Sequence, residues 1–132
     1  MPDTAGAKKI LLVEDDQFLS LLLKNRFEKD GIAVTVAGDG EAALARMRES
    51  KPDVVLLDLI LPGVSGFEVL EKMRADIELA SIPTLIISNL GQNEDISRGK
   101  ELGAIDYFVK ARTSIDDLVL KAKGLASGGN NK

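Results

Sequence analysis

KPDVVLLDLILPGVSG, residues 51–66, carries one carboxylate, Asp58, at the end of the apolar run Val54-Val55-Leu56-Leu57. The run does not alternate, and turn residues bound it, with Lys51-Pro52-Asp53 in front and Leu61-Pro62-Gly63 behind. A short unbroken apolar segment between turn signals reads as a strand covered on both faces, as in a parallel sheet. A lone charged carboxylate inside such a layer would be costly to desolvate. Asp58 is therefore expected at the strand's carboxyl end, where open α/β sheets bind their ligands.

The flanking segments repeat one pattern of strand followed by helix. Lys9 to Val13 is a short apolar strand that stops at Glu14-Asp15-Asp16. Gln17 to Lys29 is a helix, with Asp16 as N-cap and Phe18, Leu19, Leu22, Leu23 and Phe27 assigned to its inner face. Ile32 to Ala37 is rich in β-branched residues, and Glu41 to Arg48 follows as a helix with Ala42, Leu44 and Ala45 inward. Beyond Asp58, Phe67, Val69, Leu70 and Met73 mark a third helix, and Pro83 to Ser88 a strand that ends in a hydroxyl. Asn93 to Leu102 is a polar fourth helix, expected to be the most mobile because Gly99 lies inside it. Ile105 to Val109 is the fifth strand, and a helix capped at Ser114–Asp117 runs through Leu125. Residues 1–7 read as a flexible leader, 8–126 as one folded domain and 127–132 as a flexible tail.

Five βα units predict an α/β, doubly wound (βα)5 flavodoxin-like fold, with a parallel five-stranded sheet in the order 2-1-3-4-5 and helices on both faces. The switch point of that order falls between the first and third strands. It gathers Asp15 and Asp16 with Asp58, while Ser88 and Lys110 arrive from the ends of the fourth and fifth strands.

The remaining composition narrows the chemistry. The 132 residues include no Cys and no His, which removes thiolate chemistry, imidazole metal sites and histidine acid–base catalysis. A net charge of −4 argues against a nucleic-acid surface, which relies on clustered Lys and Arg. No segment reads as a signal peptide or reaches membrane-spanning length, so no membrane association and a cytoplasmic location are expected. Three acids at one mouth repel one another unless a cation joins them, and a hard divalent ion such as Mg2+ is the natural partner. That ion, the Lys110 ammonium and the Ser88 hydroxyl together suit a phosphoryl group, and Asp58 itself is a candidate nucleophile that forms an acyl phosphate.

Taken singly these residues have plainer readings. Asp58 reads equally as a surface acid, Asp15 and Asp16 as a helix cap and first-turn acids, Ser88 as a strand-end hydroxyl and Lys110 as a solvated amine. Tyr107 alone reads as a partly packed ring. Their convergence in one order favours the functional reading.

That order, in LLVEDD, VVLLDLILPGVSGFEVL, PTLIIS and DYFVK, resembles the receiver domain of two-component response regulators over essentially the whole ordered chain. The resemblance implies that Asp58 accepts a phosphoryl group from the phosphohistidine of a sensor histidine kinase or histidine phosphotransfer protein. It implies Mg2+ held by Asp15, Asp16, Asp58 and the backbone carbonyl of Ile60, and switch roles for Ser88 and Tyr107. Phosphorylation would then change the face formed by the fourth helix, fifth strand and fifth helix, which controls an unknown downstream protein. The domain would promote its own phosphoryl transfer and dephosphorylation without being an enzyme in the ordinary sense. Its expected state is a monomer or a weak phosphorylation-dependent homodimer.

The chain departs from the family pattern in three places. Lys110 is followed by Ala111 where the family usually has Pro, often in a cis bond. Asn89 stands where a small residue is common, and Ile60 and Leu90, which flank the site of hydrolysis, are both apolar. With Asn89 shaping phosphoryl access, Ile60 and Leu90 are expected to shield the acyl phosphate and slow self-dephosphorylation. Two other function classes share the architecture: a flavin-binding module, and a receiver-like interaction module that is not phosphorylated. The first would place an anionic phosphate beside Glu14-Asp15-Asp16, which repel it. No output domain fits in the remaining residues, so the chain reads as a stand-alone receiver or as a receiver cut from a longer polypeptide.

Overall fold

The structure, a computed structural model, describes residues 8–128. The expected leader, 1–7, and all of the expected tail beyond Gly128 lie outside the described residues. Within them the chain runs β1 (Lys9–Val13), α1 (Gln17–Lys29), β2 (Ala33–Ala37), α2 (Gly40–Ser50), β3 (Val54–Leu57), α3 (Gly66–Ala75), β4 (Thr84–Ser88), α4 (Asn93–Glu101), β5 (Asp106–Val109) and α5 (Ile115–Ala126). A single 3-10 turn, Lys110–Arg112, joins β5 to the last segment. All strand pairs are parallel, in the order β2-β1-β3-β4-β5.

Strand alternation splits the core in two. Ile10, Leu12, Val54, Leu56, Leu85 and Ile87 face Leu23 and Phe27 of α1 and Leu118, Ala122 and Leu125 of α5. Leu11, Val13, Val55, Leu57 and Ile86 face the other way, onto Leu44 and Met47 of α2 and Phe67, Leu70 and Met73 of α3. Both faces of β3 are therefore covered, which is why its four residues are all apolar.

Two inner faces differ from the sequence reading. Phe18 is 78% exposed and Leu22 38%, whereas Ser20, Leu23 and Phe27 form the buried stripe of α1. The reason is angular. Nine residues at 100° each place Phe18 and Phe27 on opposite sides of the helix, so packing Phe27 on the sheet expels Phe18. In α2 the buried residues are Gly40, Ala43, Leu44 and Met47, and Ala45, two positions from Met47, is exposed.

Side-chain caps set the helix starts. Asp16, Asp39, Ser65 and Ser114 accept backbone N–H groups at the first turns of α1, α2, α3 and α5. Gly66 has a further role. Its N–H donates to the Leu59 carbonyl at 2.9 Å, and a Cβ there would lie 2.3 Å from the Asp58 carbonyl oxygen and 2.6 Å from the Leu59 Cα. The helix thus sits directly on the backbone that carries Asp58. Gly66→Ala is expected to cost about 2–3 kcal/mol, the scale of overpacking against a backbone that cannot yield, measured by chemical denaturation. It is also expected to displace Asp58.

Candidate phosphoryl and metal site

Register builds the site. Val13 is paired with Leu57 at the last rung of β1 and β3, so the residues that follow, Glu14 and Asp58, emerge at the same level of the switch point. The Asp58 N–H donates to the Val13 carbonyl at 3.0 Å, and the Glu14 N–H to the Ala37 carbonyl at 2.9 Å. Both acids are buried; Asp15 and Asp16 beside them are exposed.

Lys110 leaves the end of β5 and reaches back past β4. Its Nζ donates to Asp58 Oδ2 at 3.0 Å and stands 2.8 Å from Glu14 Oε1. The close approach of this ammonium is the only polar partner of the buried Oε1 among the described residues. The other Asp58 oxygen, Oδ1, accepts the Ile60 N–H at 3.2 Å. Glu14, Asp15, Asp16, Asp58, Ile60, Asn89 and Lys110 line one open cavity of about 290 Å3.

The acidic cluster differs in one member from the sequence reading. Carboxylate oxygens of Glu14, Asp15 and Asp58 lie within 4.8 Å of one another. Asp16 lines the same mouth, but its Oδ1 accepts the Phe18 and Leu19 N–H groups at 3.0 and 3.2 Å and is thereby committed to the start of α1. The sequence reading passed over Glu14. Its signal was positional: Glu14 follows β1 by one residue, as Asp58 follows β3 by one. A divalent ion fits this donor set, because three hard carboxylate oxygens converge and the buried Glu14 Oε1 has, among the described residues, only the Lys110 ion pair to balance it.

The electrostatics follow from burial. Desolvation raises the Glu14 pKa above its ordinary value, and the nearby Asp58 charge adds to it, against the opposing pull of Lys110 and the Asp16 N–H. For Lys110 burial works against the ammonium, but Glu14 and Asp58 outweigh it and the pKa is raised above the ordinary 10.5. A lysine raised in the folded state contributes stability that is fully present below its unfolded value and is lost as pH rises through the folded one. Thermal unfolding in divalent-free buffer is therefore expected to show a fall in midpoint above about pH 10.5. That fall should be smaller in Lys110→Ala.

The remaining site residues divide. Ser88 is fully buried at the end of β4, and its Oγ accepts the Leu90 N–H at 3.2 Å. Ile60, 58% exposed, and Asn89 line the mouth. Leu90 instead packs against the core, and its carbonyl accepts the Tyr107 hydroxyl. The Tyr107 ring is buried, and a Cβ at Gly99 of α4 would lie 3.2 Å from it. Burial, followed by the Asp95 charge, raises the Tyr107 pKa, with the Ser88 hydroxyl opposing them and the Asp58 charge adding a smaller upward push. Among the described residues there is no cis peptide bond, so Lys110–Ala111 is trans. No helix among them is long and apolar enough to cross a membrane.

Comparison with known proteins agrees with this geometry. The response regulator receiver domain family matches residues 10–123. The phosphate regulon transcriptional regulatory protein PhoB of Rhizobium meliloti (strain 1021) is 36% identical over 117 residues, 89% of this chain and 51% of its own length. The chain spans about half the length of such curated relatives. Among solved structures, the Francisella response regulator 1452 receiver domain superposes with a TM-score of 0.84 at 31% identity, covering 92% of this chain and 98% of that one. The Mn(2+)-bound form of response regulator Rcp1 gives a TM-score of 0.78 at 28% identity, covering 95% and 96%. With its family match running over residues 10–123 and its acids and lysine meeting at the strand ends, this chain belongs to the response regulator receiver domains.

Proposed function

We propose that the protein is a phosphorylation-dependent switch in which Asp58 takes a phosphoryl group from the phosphohistidine of a sensor kinase or histidine phosphotransfer protein. The observation that carries this reading is the Lys110 ammonium held between Asp58 and Glu14 beside a third carboxylate. An Asp58 oxygen attacks phosphorus, the P–N bond to the imidazole breaks, and the histidine leaves with the electron pair of that bond. Lys110, freed from its pairing with Asp58, is positioned to take up negative charge on the transferring oxygens. Glu14, Asp15 and Asp58 would hold Mg2+, which when bound neutralises phosphoryl oxygens. Rcp1, similar in fold and sequence, has a Mn(2+)-bound form, which supports a divalent ion for this chain as well. Water attack on phosphorus later releases inorganic phosphate and restores the carboxylate.

Ser88 and Tyr107 are proposed to report the event. The hydroxyl stands at the strand end next to that of Asp58, and the ring lies against α4 through Gly99. Movement of Ser88 toward the phosphoryl group would carry the Leu90 N–H with it, and Tyr107, bonded to the same residue, would follow. The altered face is that of α4, β5 and α5, acting in the cytoplasm on a protein surface that the described residues do not identify. Incubation with a small phosphodonor, with and without Mg2+, followed by intact mass tests the reading. A phosphoryl adduct that depends on the ion supports it. No adduct on the wild type would favour a receiver-like interaction module that is not phosphorylated.

A further inference from the structure

The loop between β4 and α4 is held by side chains that meet consecutive backbone groups. The Leu90 N–H donates to Ser88 Oγ, the Leu90 carbonyl accepts the Tyr107 hydroxyl, and the Gly91 carbonyl accepts Arg112 Nη2 at 3.2 Å. The first residue of the loop, Asn89, lines the acidic mouth. Arg112 is brought there by the 3-10 turn Lys110–Arg112, whose first residue pairs with Asp58. One three-residue turn thus holds the acceptor carboxylate with its first side chain and the neighbouring loop with its third.

Gly91 admits the contact. A Cβ at that position would lie 2.3 Å from Arg112 Nη2 and 3.4 Å from Val109 Cγ1. Since the nearest atom belongs to the end of a flexible side chain, a methyl group at 91 would move the guanidinium rather than the backbone. Glycine at 91 and arginine at 112 therefore act as one unit.

We infer that Arg112 is a positioning residue for the phosphoryl chemistry: by pinning Gly91 it keeps the loop closed on the mouth and lengthens the life of the acyl phosphate. The inference rests on Asp58 as phosphoacceptor. Arg112 touches neither Asp58 nor the acidic cluster, so it acts through Asn89 and Leu90, which the loop carries.

The test follows decay of the phosphorylated full chain by intact mass after the phosphodonor is removed. Arg112→Ala is expected to shorten the lifetime about threefold, the order of one exposed hydrogen bond. Gly91→Ala should do the same, and the double variant should decay no faster than either single one, because both remove one contact. Arg112→Lys, which keeps an N–H donor of similar reach, should return the lifetime toward wild type. A second readout needs no phosphorylation. Tyr107 is the sole tyrosine and the chain has no Trp, so acrylamide quenching of intrinsic fluorescence reports the ring bonded to Leu90. Quenching should rise in Arg112→Ala and Gly91→Ala. An unlabelled wild type would remove the phosphoacceptor reading and this inference with it. A labelled wild type with an unchanged lifetime in Arg112→Ala, additive single effects, or unchanged quenching would each overturn the inference alone.

Discussion

Asp58→Asn is expected to reduce phosphoryl uptake below about 1% of wild type, as befits loss of the nucleophile itself. Asparagine nearly matches the aspartate in shape and retains a carbonyl oxygen able to accept the Ile60 N–H, so the strand end should keep its geometry. What disappears is the negative charge that pairs with Lys110 and the electron density that attacks phosphorus. The cluster also falls from three carboxylates to two, and affinity for a divalent ion should fall with it. Intact mass with peptide mapping checks both the loss and the position. A full-strength adduct on Asp15 or Glu14 in the variant would sink the assignment of Asp58.

Lys110→Ala should act on both rate and stability. Removal of a fixed cation from the developing phosphoryl charge is expected to slow labelling by about 100-fold. Glu14 and Asp58 would then be left buried with no ammonium between them, and Glu14 Oε1 would lose its ion pair with Lys110. Removing one partner of a buried ion pair costs about 3–5 kcal/mol. Lys110 is half-buried rather than enclosed, so about 2 kcal/mol is the expected loss here, read from denaturant unfolding without divalent ions. Mg2+ should restore much of that loss, since an ion that binds only the folded cluster stabilises it by mass action. The variant should therefore gain more in unfolding midpoint from Mg2+ than the wild type does. An equal gain in both would show that Lys110 and the ion do not share the same carboxylates.

The apolar run before Asp58 announced its own surroundings. Four consecutive aliphatic residues require cover on both faces, and a chain of alternating strands and helices can supply it only with a parallel sheet. The strand order follows from short right-handed connections, which also fix where the crevice lies. The placement of Asp58, Ser88 and Lys110 was legible for that reason: Ser88 ends β4, and Asp58 and Lys110 follow β3 and β5 by one residue, all at the same edge of the sheet.

Other features depended on distances that no sequence spacing states. Two exposed residues of α1, Phe18 and Leu22, look no different in sequence from Leu23 and Phe27; which pair turns inward was settled by the sheet that the helix rests on. Leu90, expected beside Ile60 at the mouth, packs against the core instead, and its carbonyl accepts the hydroxyl of Tyr107 from β5.

By itself the sequence determined the class of fold, the edge at which chemistry collects and the kinds of groups available there, because these depend on periodicity, chain connection and residue type. Tertiary structure decided which acids join Asp58: Glu14 and Asp15. Three acids follow one another after β1, but pairing of Val13 with Leu57 brings Glu14 level with Asp58, while the N–H groups of α1 claim Asp16. It also decided that Arg112 reaches Gly91, twenty-one positions away along the chain, since only the folded strands bring those two loops together.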